Sequence, residues 1–343
     1  MLKKILILLF IVLLIGAWFA KDKYDAVFSP NVAESLTDPY IYLKEGTTLD
    51  DVVTELNKKS ILLNESSFRW VANRMNYKDT KVRSGRFKIE PEWSNRRLVR
   101  HLRGGQQATV KVVLNNERLL PEVAGKVANV IATDSIQLLN LFNDKKYLTA
   151  KGYSKETLMS LFIPNTYDFY WNTTPETFFD RMQKEHKKFW EKDNRLKKAA
   201  ALNLSKEEVY TLASIVGRET NKNDEKKRIA GVYLNRLRQG ILLQADPTVV
   251  FATGEFGLRR VLNKHTAIDS PYNTYRYAGL PPGPISMASI ASLDAVLNAE
   301  KHDYIFFCAK PDYSGYHAFA KTLRGHNENA RVYRKWLTKE LRK

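Results

Sequence analysis

The segment Leu212-Ala213-Ser214-Ile215-Val216-Gly217-Arg218-Glu219-Thr220 sets a carboxylic acid among residues spaced to face a core. With Val209 as zero and roughly 100° per residue, Leu212 falls at about 300°, Ile215 at about 240° and Val216 at about 340°. Glu219 falls at about 280°, between Leu212 and Ile215, while Arg218 lies at about 180° on the outer face. Ser205 followed three residues later by Glu208 is a capping box that fixes the start of this helix, so Glu219 belongs to its last turn. Burial and the negative end of the helix macrodipole both disfavour the carboxylate there. Such a group stays protonated near neutral pH and can serve as a general acid. The plainer reading turns Glu219 to solvent, or pairs it with a lysine of residues 221–227. Its neighbours weigh against that.

A second helix follows, capped by Asp224 or Asn223, with Ile229, Val232, Tyr233, Leu234 and Leu237 on its core face and Gly240 at its end. Residues 241–251 alternate as a strand interrupted at Asp246-Pro247, a turn that exposes Gln244, Asp246 and Thr248. Residues 270–286 are dense in Pro, Gly, Asn and Tyr. That is the composition of a surface loop, and equally of a sugar-binding wall of flat rings and amides. His317 and His326 lie among further polar groups near the end. The six histidines show no H-E-x-x-H or paired-ligand spacing, and the single cysteine, Cys308, sits in an apolar run. No metal and no cofactor is expected.

These residues need a fold to hold them, and 343 residues suffice for two domains. The expected fold class is α+β, in four parts. Residues 1–21 form a membrane anchor: the apolar run 5–20 is short for a span of about 20 residues, but Trp18, Phe19 and the flanking lysines extend it. Lys3 and Lys4 keep the N-terminus in the cytoplasm, so the rest lies outside a single-pass cytoplasmic (inner) membrane anchor. The net charge of +18 then speaks for anionic lipid and wall polymer rather than nucleic acid. Residues 22–39 read as an extended stalk. Residues 40–91 read as strand, helix, helix, strand, with Thr48 capping the first helix; LysM-type glycan-binding modules share this order. Residues 92–343 form a larger α+β domain, opening with a helix and the alternating strand Thr109-Val110-Lys111-Val112-Val113-Leu114, with its informative motifs at 204–330.

Taken together, "LASIVGRET", "VYLNRLRQGILLQADPTVVFATG", "YNTYRYAGLPPGPIS" and "YHAFAKTLRGHN" resemble the YceG-like endolytic murein transglycosylase family, and the likeness runs over nearly the whole chain. The resemblance implies cleavage of MurNAc–GlcNAc bonds in newly made peptidoglycan at the membrane, leaving 1,6-anhydro ends and ending glycan elongation. Wall-synthesis enzymes are implied as partners. It carries the catalytic glutamate of an E-x-E-T motif onto Glu219, and Q-x-D-P-T onto Gln244, Asp246, Pro247 and Thr248. The family's Y-N-T-Y falls on Tyr272, Asn273, Thr274 and Tyr275, of which Tyr272, Asn273 and Tyr275 are expected to bind substrate, and His317, among its polar neighbours, is a further candidate for binding. One carboxylate suffices for a lytic transglycosylase, because the muramyl C6 hydroxyl replaces water as nucleophile. The first acid of E-x-E-T is Gly217 here, about 160° around the helix from Glu219. Three other readings compete: a two-carboxylate hydrolase using Glu219 and Asp246, a non-catalytic wall-binding scaffold with Gly217 as the mark of lost activity, and a nucleic-acid binder resting on charge alone.

Overall fold

The computed structural model describes residues 2–258 and 260–340. The chain divides into two compact units. The first comprises Met1–Lys111, Val130–Ala132 and Asp168–Thr173; the second comprises Val112–Asn129, Thr133–Tyr167 and Thr174–Lys343.

The first unit begins with helix α1, Leu2–Phe28, long and apolar enough to cross a membrane and unburied over its apolar run. The residues read as a stalk are therefore partly helical. Asp22-Lys23-Tyr24-Asp25-Ala26-Val27 contains no Gly or Pro to break the helix, which runs on to Phe28. Past it the chain enters the core rather than hanging free: Val32 is buried, and Asn31 Nδ2 donates to Asn95 Oδ1 at 2.7 Å. Strand β1 (Tyr40–Leu43), helices α2 (Leu49–Lys58) and α3 (Glu65–Arg74), and strand β2 (Gly85–Lys88) follow in the expected order. The strands pair antiparallel with Ile41 opposite Phe87, both fully buried. Thr48 caps α2 through a capping box with Asp51. The same core continues beyond residue 91: Trp93, with Leu98, Val99 and Leu102 of α4 (Asn95–Gly104), joins Val52, Phe68 and Phe87.

Strand β3 (Thr109–Leu114) pairs with β4 (Asn165–Tyr170). Lys111 and Val113 are exposed and Val112 and Leu114 buried, the alternation of a sheet with one wet face. The second unit is mostly helical. It contains α5 (Leu120–Ala128), α6 (Ser135–Asn143), α7 (Lys145–Ala150), α8 (Pro175–Glu191) and α9 (Arg195–Ala201). Then come α10 (Lys206–Glu219), α11 (Lys226–Arg238), α12 (Asp246–Thr253), α13 (Asn263–Thr266), α14 (Ile290–Leu297), an antiparallel hairpin of β5 (Phe306–Ala309) and β6 (His317–Ala320), and α15 (Leu323–Glu340).

Helix α10 is the centre of this unit. Ser205 and Glu208 form the expected capping box, and Val209, Leu212, Ile215 and Val216 have no exposed surface. It packs against α11 and α14. Gly231 lets α11 approach the chain end of α14, since a Cβ there would lie 2.5 Å from the Glu300 carbonyl oxygen. Two local expectations were wrong. Residues 246–253 are helical, not a strand: Pro247 falls in the first turn, where its fixed φ favours a helix and its missing N–H costs nothing. Their apolar residues satisfy both a period of 2 and one of 3.6 over so short a run. Neither Asn223 nor Asp224 caps α11; Glu225 stands at that position without a capping bond.

Candidate active site

Glu219 ends α10, and the next residue leaves the helix in an extended conformation. The side chain keeps some accessible surface where it borders a cleft of about 630 Å³, while protein surrounds the carboxyl group elsewhere. Tyr233 of α11 donates its hydroxyl to Glu219 Oε1 at 2.5 Å. Burial pushes the Glu219 carboxyl from the ordinary 4.5 to about 7; the Tyr233 hydrogen bond opposes the rise and the charge of Asp246 adds to it. A carboxyl group poised at neutral pH, opening on a cleft, suits proton donation and retrieval. Tyr233 lay in the sequence as one more apolar-face residue of α11, and nothing in its spacing marked it as a partner of Glu219.

Asp246 and Pro247 border the same cleft. Asp246 stands in the first turn of α12, exposed, and accepts a hydrogen bond of 2.5 Å from the Tyr275 hydroxyl. The structure thus brings Glu219, Asp246 and, through Asp246, Tyr275 to one place. Gln244 is exposed just before α12, with φ of 50°, and its Oε1 accepts from Arg236 Nη1 at 3.2 Å. Thr248 and Asn273 lie elsewhere. Both are 0% exposed. The Thr248 hydroxyl pairs with that of Thr274 at 2.8 Å, and Asn273 Nδ2 donates to the carbonyls of Thr266 and Ile268. Thr248 ties the 270–277 loop to the start of α12 and Asn273 ties it to the chain at 266–268, so their polar groups are used internally. The Tyr272 ring lies 4.7 Å from that of Phe251, tilted by 49°, and borders a separate groove.

His317 does not border the cleft. Its Nδ1 and backbone N–H both meet the Glu225 carboxylate, at 2.7 and 2.8 Å. That use explains why Glu225 leaves the α11 N-terminus uncapped. The His317 ring lies 5.3 Å from Phe307, whose ring lies 5.8 Å from Tyr233. His317 thus braces the β5–β6 hairpin behind Tyr233.

Gly217 points away from the cleft. A Cβ there would lie 2.9 Å from Ser292 Oγ on α14, inside the helix–helix contact. Arg218, assigned to the outer face by angle, is exposed as expected and also reaches the cleft wall, where its Nε donates to Ser286 Oγ at 3.1 Å. The helix ends one residue later, so its long side chain swings past the terminus. Arg118, Arg260 and Arg334 also border the cleft, the last from α15. No group of three or more potential metal ligands occurs among the described residues.

Fold and site together define an α+β protein with an N-terminal apolar helix and a cleft built around one neutral-leaning carboxylic acid. The model of the YceG-like family matches residues 41–332, and the chain belongs to that family. It is 28% identical over 338 residues to the endolytic murein transglycosylase of Bacillus subtilis (strain 168), covering 94% of this chain and 91% of that protein. It is 28% identical to the endolytic murein transglycosylase of Streptococcus pneumoniae serotype 2 (strain D39), covering 92% of this chain but 62% of that longer protein. Its fold matches the 2.6 Å crystal structure of a YceG-like protein from Listeria monocytogenes with a TM-score of 0.55 and 28% identity, covering 86% of this chain and 99% of that one.

Proposed function

We propose that this chain is a membrane-attached lytic transglycosylase that cleaves peptidoglycan glycan strands, with Glu219 as its acid and then its base. The observation that carries the reading is the Glu219 carboxyl, raised to about 7 and facing an open cleft. Glu219 donates its proton to the departing glycosidic oxygen. As a carboxylate it then receives the proton of the muramyl C6 hydroxyl, whose oxygen closes on C1 to give the 1,6-anhydro end. The Tyr233 hydrogen bond stabilises the carboxylate between these steps. Asp246, held by Tyr275, offers negative charge to the oxocarbenium-like centre. Gln244 and Tyr275 contact substrate at the cleft edge, while Thr248, Asn273 and His317 position the wall. The βααβ unit holds glycan, and α1 anchors the enzyme with its catalytic unit outside the cytoplasmic membrane. The activity for which the related proteins are named supports the reading.

Asp246 in the same cleft favours one second reading, hydrolysis with two carboxylates. Mass spectrometry of fragments released from un-crosslinked strands separates the two, since anhydro ends are lighter than reducing ends by one water. Anhydro ends are expected. Reducing ends would transfer the assignment to the hydrolase, and intact strands would leave only a binding scaffold.

A further inference from the structure

Four arginines border the cleft beside two carboxyl groups, yet among the described residues none of the four forms an ion pair with a carboxylate. Arg118 lies 4.5 Å over the Phe256 ring, and its backbone N–H takes up Glu122 at 2.6 Å. Burial and the nearby Arg118 charge both press the Arg218 guanidinium below its ordinary value, with Glu122 partly offsetting them. Two guanidinium groups that repel each other and lack a carboxylate partner are a prepared anion site, and their planar forks suit carboxylate geometry.

Arg118 and Phe251 belong to two cavities at once. Beyond them opens a side groove of about 540 Å³, walled by Leu120, Leu139, Met159 and Tyr272, with Lys155 at its border. Glu156 also borders it, with its carboxylate engaged by the Ser154 hydroxyl at 2.7 Å. The arrangement is therefore a cationic junction leading from the acid cleft into an apolar groove. In peptidoglycan, alternate sugars carry a lactyl-linked peptide that presents carboxylates and alanyl methyl groups. A strand seated at Glu219 must send that substituent out of the cleft sideways.

We propose that the side groove receives the peptide substituent of the glycan strand, and that Arg118 and Arg218 grip one of its carboxylates at the junction. This rests on the glycan-cleaving reading above and adds a selection: strands that still carry their peptides are the preferred substrates.

The test uses the full chain carrying Glu219→Gln, titrated by NMR with the glycan-free peptide L-Ala-γ-D-Glu-L-Lys and, separately, with inorganic diphosphate. Saturable peptide binding is expected. Arg118→Gln, which retains a stem over Phe256, and Leu139→Trp, which fills the groove without altering charge, should each weaken it by about tenfold or more. Melting curves on the same samples identify a variant that has unfolded, and the other variant then decides. Absence of peptide binding overturns the proposal, as does binding that both folded variants leave unchanged. Binding of diphosphate but not peptide also overturns it and assigns the arginines to a lipid-linked strand end. Because no cleavage is read, a parent enzyme that fails to cut strands would sink the earlier reading while leaving this result standing. Equal cleavage of peptide-bearing and peptide-stripped strands would do the reverse.

Discussion

At Glu219 the same burial that makes an acid also makes a liability. Its carboxyl value in the folded chain, about 7, lies above the ordinary 4.5, so the folded state holds the proton more tightly than the unfolded one. Stability from this group is therefore greatest below pH 4.5, declines as pH rises through 7, and stays low above it. Glu219→Gln removes the cost. Its stability should match the parent at pH 4 and exceed it at pH 8, by an amount on the order of 1–3 kcal/mol after allowance for the open side of the cleft. Strand cleavage by the same variant should fall by roughly 10²–10⁴-fold. An active, destabilised variant would show that Glu219 is a structural residue. Tyr233→Phe tests the electrostatics separately. The lost hydrogen bond favoured the carboxylate, so the alkaline limb of kcat/KM against pH should move upward from about 7. A limb that stays or moves down would reject Tyr233 as the group tuning the acid.

At the level of elements, α10 and α14 decide what Gly217 means. A side chain at 217 meets Ser292 Oγ, which is itself fully buried and bonded to Ser289 Oγ at 2.8 Å. Gly217→Glu should therefore cost about 1–3 kcal/mol by overpacking, and should not restore cleavage to Glu219→Gln. Gly217→Ala should gain its helix-propensity benefit of about 1 kcal/mol only when Ser292→Ala has cleared the space. Additive melting shifts in that double-mutant cycle would mean the contact is slack. The helix carrying Glu219 was legible because a capping box and an unbroken apolar arc set its register. The βααβ order was legible from turns and caps for the same reason. The start of α12 was not, because eight residues cannot separate period 2 from period 3.6, and Pro247 reads as a turn as readily as a helix start. The partners of the acid were hidden for a different reason. Tyr233, Arg118 and Arg334 come from segments far apart in the chain, and only tertiary packing brings them to one cleft. Thr248 and Asn273 were recognisable as special, but sequence does not tell a residue that touches sugar from one that ties the loop behind it.

For the whole molecule, the charge of +18 favours contact with anionic surfaces. Binding to anionic sacculi should weaken sharply between 0.1 M salt, where the Debye length is about 10 Å, and 1 M, where it is about 3 Å. Co-sedimentation that ignores salt would assign retention to sugar stacking instead. A more specific feature is α1. Its 27 residues rise about 40 Å, against a hydrocarbon layer of about 30 Å. Its last turn is fastened to the first unit: Asn95 Nδ2 bonds the Ala26 carbonyl at 2.9 Å, Val27 packs on the core, and Arg96 lies 5.3 Å over Phe28. A rod clamped at its upper end behaves as a stilt rather than a leash. With α1 inserted as proposed, it fixes the altitude of the first unit above the lipid and denies it the wide vertical sweep a slack tether would give. If that unit holds glycan as proposed, it meets strands passing at that height rather than the same polymer deeper in the wall. Seven added helical residues after Lys21 would raise the stilt by about 10 Å and should lengthen the span from the bilayer to the first unit by that much, a change readable by energy transfer from a dye on that unit to labelled lipid.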